Sequence, residues 1–69
     1  MEFSQEDLIE SKRQIDSILH KLRATVKTLE AKENVTRYKS QITLATRRIK
    51  ALEIANDLIE NAIQTDHLT

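Results

Sequence analysis

The chain has 69 residues, lacks cysteine, glycine and proline, and balances 11 basic against 11 acidic side chains. The lack of cysteine excludes a disulfide framework and a thiolate metal site. The longest apolar run is two residues, which excludes a transmembrane span and the core of a secretory signal peptide. At this length one small domain usually needs a partner chain for stability, so we expect an oligomeric, cytoplasmic protein.

The first predicted helix has a clear starting signal. Ser4 is a favoured N-cap residue, Asp7 stands at the third helical position, and Phe3 can pack against Leu8 as a hydrophobic staple. Glu6 and Asp7 also suit the positive end of the helix dipole. We predict helix 1 over about residues 4–33.

Both halves of the chain carry apolar residues at alternating steps of three and four, the spacing of coiled-coil helices. In helix 1 the main positions are Leu8, Ile15, Leu19, Leu22, Val26 and Leu29. In helix 2, predicted over about residues 37–65, the series is Val35, Tyr38, Ile42, Ala45, Ile49, Leu52, Asn56, Ile59 and Ile63. The two series differ in phase, and the break lies in or beside residues 32–36.

The phase break has two interpretations. Folding the chain back about a centre between Val35 and Thr36 aligns the two series in eight layers, from Leu8 with Ile63 to Glu33 with Tyr38. This favours an antiparallel two-helix hairpin with its turn at about residues 34–36, Asn34 left-handed and Thr36 capping helix 2. The alternative is one continuous helix in a parallel coiled coil, which can absorb a one-residue slip.

Helix 2 has more apolar surface than one seam can use, so a second chain should cover it. We predict an all-α hairpin, coiled-coil-like, that dimerises into a four-helix bundle. The predicted oligomer interface consists of Leu44, Ala51, Leu52, Ala55, Asn56, Leu58, Ile59 and Ala62. Asn56 is either a tolerated polar residue near the bundle end or a residue that fixes register and partner number.

Charge is segregated along the chain. Residues 1–10 and 51–69 each carry four acids and no base, whereas residues 12–50 carry eleven bases and three acids. A hairpin therefore gathers acidic segments at its open end. An antiparallel dimer would lay these segments beside basic ones, and we predict that arrangement.

The residues predict no catalytic, cofactor or metal site. Asp16 and His20 share a helical face, and we expect a surface ion pair between them because two ligands do not make a metal site. A basic cluster, free of acids from residue 34 to 52, is the candidate surface for an anionic partner: Arg37, Lys39, Arg47, Arg48 and Lys50. It is either solvated or intersubunit charge, or a contact for nucleic acid.

The segments "DLIESKRQID" and "RYKSQITLATRRIKALEIANDLIE" together resemble small, uncharacterised bacterial helical-hairpin proteins of similar length. The resemblance implies a bacterial source and no assigned activity. The sequence favours a non-enzymatic, self-associating interaction module that acts as an adaptor, regulator or assembly piece. The alternatives are a nucleic-acid-binding accessory protein and an inhibitor or antitoxin-like subunit whose protein partner covers helix 2. No membrane contact is expected.

Overall fold

The computed structural model describes residues 2–68, with side chains over residues 2–64. Helix α1 spans Gln5–Glu30, a four-residue 3₁₀ helix spans Val35–Tyr38, and helix α2 spans Lys39–Leu68. The two long helices pack against each other in a hairpin of 52 × 18 × 15 Å. The prediction of an all-α hairpin is confirmed, and the chain does not form one continuous helix.

The start of α1 agrees with the predicted capping signal. Ser4 has extended backbone angles, and its hydroxyl accepts a hydrogen bond from the Asp7 backbone N–H at 3.0 Å. Glu6 and Asp7 lie in the first turn, where they face the positive end of the helix dipole. Phe3 and Leu8 border the same groove, as a hydrophobic staple requires.

The two predicted seams meet in the hairpin, and together we call them the inner seam. On α1 the half-buried or buried positions include Leu8, Lys12, Ile15, Leu19, Leu22, Val26 and Leu29. On the second half they include Tyr38, Ile42, Ala45, Ile49, Leu52, Asn56, Ile59 and Ile63. The predicted layer next to the turn, Glu33 with Tyr38, is wrong, because Glu33 lies beyond the end of α1 and is exposed. Val35, the first position of the second predicted series, is exposed as well.

Hydrogen bonds between the helices agree with an antiparallel pairing about the predicted centre. Gln5 Nε2 donates to the Ile63 carbonyl at 3.3 Å, Asn56 Nδ2 to Asp16 Oδ1 at 2.6 Å, and Arg23 Nη2 to Glu53 Oε2 at 3.1 Å. The midpoints of these pairs in sequence are residues 34, 36 and 38. They surround the predicted centre between Val35 and Thr36.

The turn differs from the prediction in its residues and its conformation. Helix α1 ends at Glu30, three residues before the predicted end, and the Ala31 and Lys32 N–H groups bond the Lys27 and Leu29 carbonyls. Asn34 has φ −103° and ψ 63°, so the expected left-handed residue is absent, and no described residue has positive φ. Without glycine, a left-handed residue costs about 1 kcal/mol, and the chain avoids this cost with two short right-handed turns.

The second half of the turn is a 3₁₀ helix instead of a side-chain cap. Thr36, the predicted cap, lies inside this helix, where its carbonyl accepts the Lys39 N–H. The Arg37 N–H bonds the Asn34 carbonyl at 3.0 Å. The tight 3₁₀ turn satisfies the backbone groups that a cap would otherwise serve.

Replacing Ser4 should destabilise the fold through the lost cap. Ser4→Ala removes the acceptor for the Asp7 N–H, and we expect the free energy of unfolding to fall by about 1 kcal/mol. Urea denaturation followed by circular dichroism, at one fixed chain concentration, measures the change. The matched control is Ser17→Ala at an exposed site inside α1, where alanine should be neutral or stabilising. Equal effects of the two substitutions would contradict the capping role.

Candidate interaction surface

The hairpin buries few side chains. Among the described residues the buried apolar side chains are Leu19 and Ala45, which are 3% and 7% exposed, and none of the large side chains is fully buried. The accessible surface is 5781 Å². A compact 8.0 kDa protein would expose about 4,450 Å². The elongated hairpin therefore leaves more than 1,000 Å² of extra surface, roughly what one partner contributes to a stable interface.

Helix α2 has a second heptad seam, which we call the outer seam. Its positions follow steps of four, three, four, three and four: Leu44, Arg48, Ala51, Ala55, Leu58 and Ala62. At 100° per residue this seam is centred about a quarter turn from the inner seam. Two seams on one helix are typical of a helix that contacts two neighbours.

The outer seam lies to the side of the contact with α1. Leu44 is 48% exposed and Leu58 is 65% exposed, whereas Ala55 and Ala62 are half-buried at the edge nearest α1. Ile54, beside the seam, is 51% exposed. Three large apolar side chains therefore stay exposed on or beside the outer seam.

The side of the hairpin opposite the outer seam, which we call the polar flank, has an ion pair between the two helices. The Arg23 guanidinium and the Glu53 carboxylate form an ion pair at 3.1 Å between the two helices. Both side chains are about half exposed, so the pair contributes little stability by itself. It does show which edges of the helices meet there. Ile18 lies on the other edge of α1, the same side of the hairpin as Ala55, and extends the apolar face.

Asn56 lies on the inner seam and is tied to α1. Its amide donates to Asp16, and the second Asp16 oxygen accepts from Lys12 Nζ at 3.2 Å. The Asn56 Oδ1 atom is buried and accepts no hydrogen bond from the described part of the chain. The carboxylate fixes which way the amide points, because the reverse orientation would set two acceptors against each other.

These contacts determine how Asp16 titrates. Hydrogen bonds from Asn56 and then from Lys12 hold the pKa of the Asp16 carboxyl below its ordinary value, against a smaller opposing effect of desolvation. A lowered folded-state pKa stabilises the fold above the unfolded pKa, and this stability is lost as the pH falls through the folded pKa. The two hydrogen bonds thus favour the ionised form of Asp16.

The predicted ion pair between Asp16 and His20 is not formed. Both oxygens of Asp16 are taken by Lys12 and Asn56, and the His20 side chain is exposed. His20 instead borders a shallow groove of about 480 Å³ on the polar flank, with Arg23 and Ile49. Asn56 bonds the Asp16 carboxylate from the facing helix, and the spacing of residues along α1 does not show this contact.

The predicted basic cluster is divided by the fold. Lys39 and Arg47 border one shallow groove on α2 with Thr43, and the helical period adds Lys50 to this side. Arg48 belongs to the outer seam, and Arg37 lies in the 3₁₀ helix. All five side chains are exposed, and among the described residues none of the five forms an ion pair.

The predicted interface residues also separate into two sets. Leu44, Ala51, Ala55, Leu58 and Ala62 lie on the outer seam, while Leu52, Asn56 and Ile59 are half-buried on the inner seam. The predicted interface set does not include Arg48, which lies in the outer seam, or Ile54, which is 51% exposed beside it. The regular spacing from Leu44 to Ala62 was the available signal for the second seam.

Within residues 2–64, no group of three His, Cys, Asp or Glu side chains could hold a metal ion. No helix in the described part of the chain is long and apolar enough to cross a membrane. Comparison with protein-family models, with curated proteins and with solved structures finds no match to this chain.

The pKa of Asp16 provides a test of the Asn56 contact. In Asn56→Ala, the carboxyl loses its first hydrogen bond, and its pKa should rise toward the ordinary value of 3.8. Carbon-13 NMR of the Asp16 carboxyl over an acid titration measures this pKa directly. Lys12→Met serves as the comparison and should raise the pKa less. An unchanged pKa in Asn56→Ala would show that the two residues do not bond in solution.

Proposed function

We propose that the protein is a non-enzymatic helical interaction module that works by binding a second copy of itself, forming a four-helix bundle. In such a bundle it serves as an adaptor, regulator or assembly piece. A cytoplasmic location and a bacterial source stay predictions from the sequence and the resemblance. The observation that carries the proposal is the exposed outer seam of α2, where Leu58 is the most exposed large apolar side chain described.

The size of the core supports self-association. Two buried apolar side chains are few for a chain of this length, because ordering each residue costs roughly 1.5 kcal/mol that burial must offset. Covering the outer seam adds apolar burial at about 25 cal/mol per Å². A second identical chain supplies this cover without requiring any other gene product, and closed two-fold dimers are the commonest protein assemblies.

Charge supports an antiparallel dimer. The open half of the hairpin, residues 1–17 and 54–69, carries eight acids and two bases, a net of six negative charges. The half that holds the turn, residues 18–53, carries nine bases and three acids, a net of six positive charges. Laying two hairpins head to tail sets opposite charges side by side, whereas a parallel dimer would oppose like charges.

Leu58→Gln should weaken the dimer without unfolding the hairpin. The side chain makes little contact within its own chain, but a dimer loses two buried leucines at once. At about 1.5 kcal/mol each, we expect the dissociation constant to rise by about 100-fold. Sedimentation equilibrium over a range of chain concentrations measures it.

The matched control is Ile9→Gln, which places the same polar side chain at a 48% exposed isoleucine near the polar flank. This variant should associate like the natural protein. Equal dissociation constants for all three chains would count against the outer seam as the interface. A monomer at every concentration would indicate that a different protein, as for an inhibitor or antitoxin-like subunit, covers α2.

A second candidate function is nucleic-acid binding through the basic side of α2. The observation that favours it is the exposed row of Lys39, Arg47 and Lys50, in a segment without acids from residue 34 to 52.

Phosphate contacts of this kind weaken steeply as salt rises. Arg47→Glu should then weaken binding of mixed-sequence DNA or RNA at low ionic strength, while Lys21→Glu on α1 should have a smaller effect. Fluorescence anisotropy measures both, and no binding by the natural chain at low salt would remove this candidate.

A further inference from the structure

We infer that the outer seam binds a second copy in one defined register, antiparallel, with the two-fold axis beside residue 53. Ala51 then meets the partner's Ala55 at the centre, and Ile54 faces the same residue of the other chain. This inference rests on the proposed self-association and specifies how the two chains meet.

The spacing of the seam selects the register. Along the seam, successive residues are alternately four and three positions apart. In an antiparallel helix pair, a residue at the start of a four-residue step on one chain lies level with a residue at the end of a four-residue step on the other chain. A centre at residue 53 pairs all six seam positions: Leu44 with the partner's Ala62, Arg48 with the partner's Leu58, and Ala51 with the partner's Ala55. A shift of one heptad in either direction pairs only four of the six.

The sizes of the side chains agree with this register. Leu44 faces an alanine, and the central layers contain alanines alone, so the two copies of α2 can approach closely. Next to the axis, Ile54 of each chain lies on one side of the seam and Leu52 of each chain on the other. Ile54, 51% exposed in the hairpin, would be covered by its own counterpart.

The charges select the same centre. Along α2 the last base is Lys50 and the first acid is Glu53, so the sign of the charge changes beside the axis. Residue 53 is also close to the midpoint of α2, Lys39–Leu68, so the two helices overlap along their whole length. Arg47 and Arg48 then run beside the partner segment that contains Asp57 and Glu60.

Arg48 fits this arrangement although it is charged. Its aliphatic stem can cover the partner's Leu58, while its guanidinium extends to the acidic half of the partner. In a parallel dimer the two Arg48 side chains would instead face each other. A cation at this seam position therefore favours the antiparallel orientation and disfavours the parallel one.

Single-cysteine cross-linking tests the register, since the chain has no cysteine of its own. With a short bismaleimide, Ile54→Cys should be captured as a covalent dimer. Leu44→Cys alone should not, because its two copies would be separated by about 27 Å along the bundle. Leu44→Cys should cross-link to Ala62→Cys when the two chains are unfolded and refolded together. Thr46→Cys, on the polar flank, is the negative control.

The outcomes separate this inference from the self-association on which it rests. Cross-linking of Leu44→Cys to itself would overturn the antiparallel register. So would failure of Ile54→Cys to cross-link in a sample whose sedimentation gives twice the chain mass. A single-chain mass for the cysteine variants and for the natural protein would overturn self-association as well. Gel electrophoresis and sedimentation equilibrium of the same samples provide both readouts.

Discussion

A helix that touches one neighbour can bury only one stripe of its surface, and the organisation of this molecule follows from that limit. Helix α1 carries one strong apolar stripe, and the hairpin uses it. Helix α2 carries two, and its single neighbour within the chain covers only the inner seam. The exposed leucines of the outer seam, the small buried core and the large accessible surface are three consequences of this mismatch.

The interactions between the two helices were largely predictable from the sequence. The positions from Leu8 to Leu29 and from Tyr38 to Ile63 lie inside because the three-four spacing places each series on one face of its helix. Ser4 caps α1 because its hydroxyl competes for backbone groups at a helix start. These features depend on short-range geometry, which residue order alone specifies.

The turn and the polar contacts were less predictable, for physical reasons. Ending a helix at Glu30 instead of residue 33 changes few contacts, so weak local preferences decide it. The Asp16 carboxylate has two neighbours on its own helix, Lys12 and His20, and one on the facing helix, Asn56. Only the three-dimensional register shows that Asn56 and Lys12 bond it together. The Asn56 contact joins the two helices, and the register-fixing role of this residue stays a prediction.

Self-association through the outer seam is the central claim, and solution scattering with an absolute mass tests it most directly. We expect twice the chain mass of 8.0 kDa. The longest dimension should stay close to the 52 Å of one hairpin, since two chains that overlap fully add width and not length. A mass of one chain at high concentration, or a rod of about 100 Å as from a single continuous helix, would contradict the account.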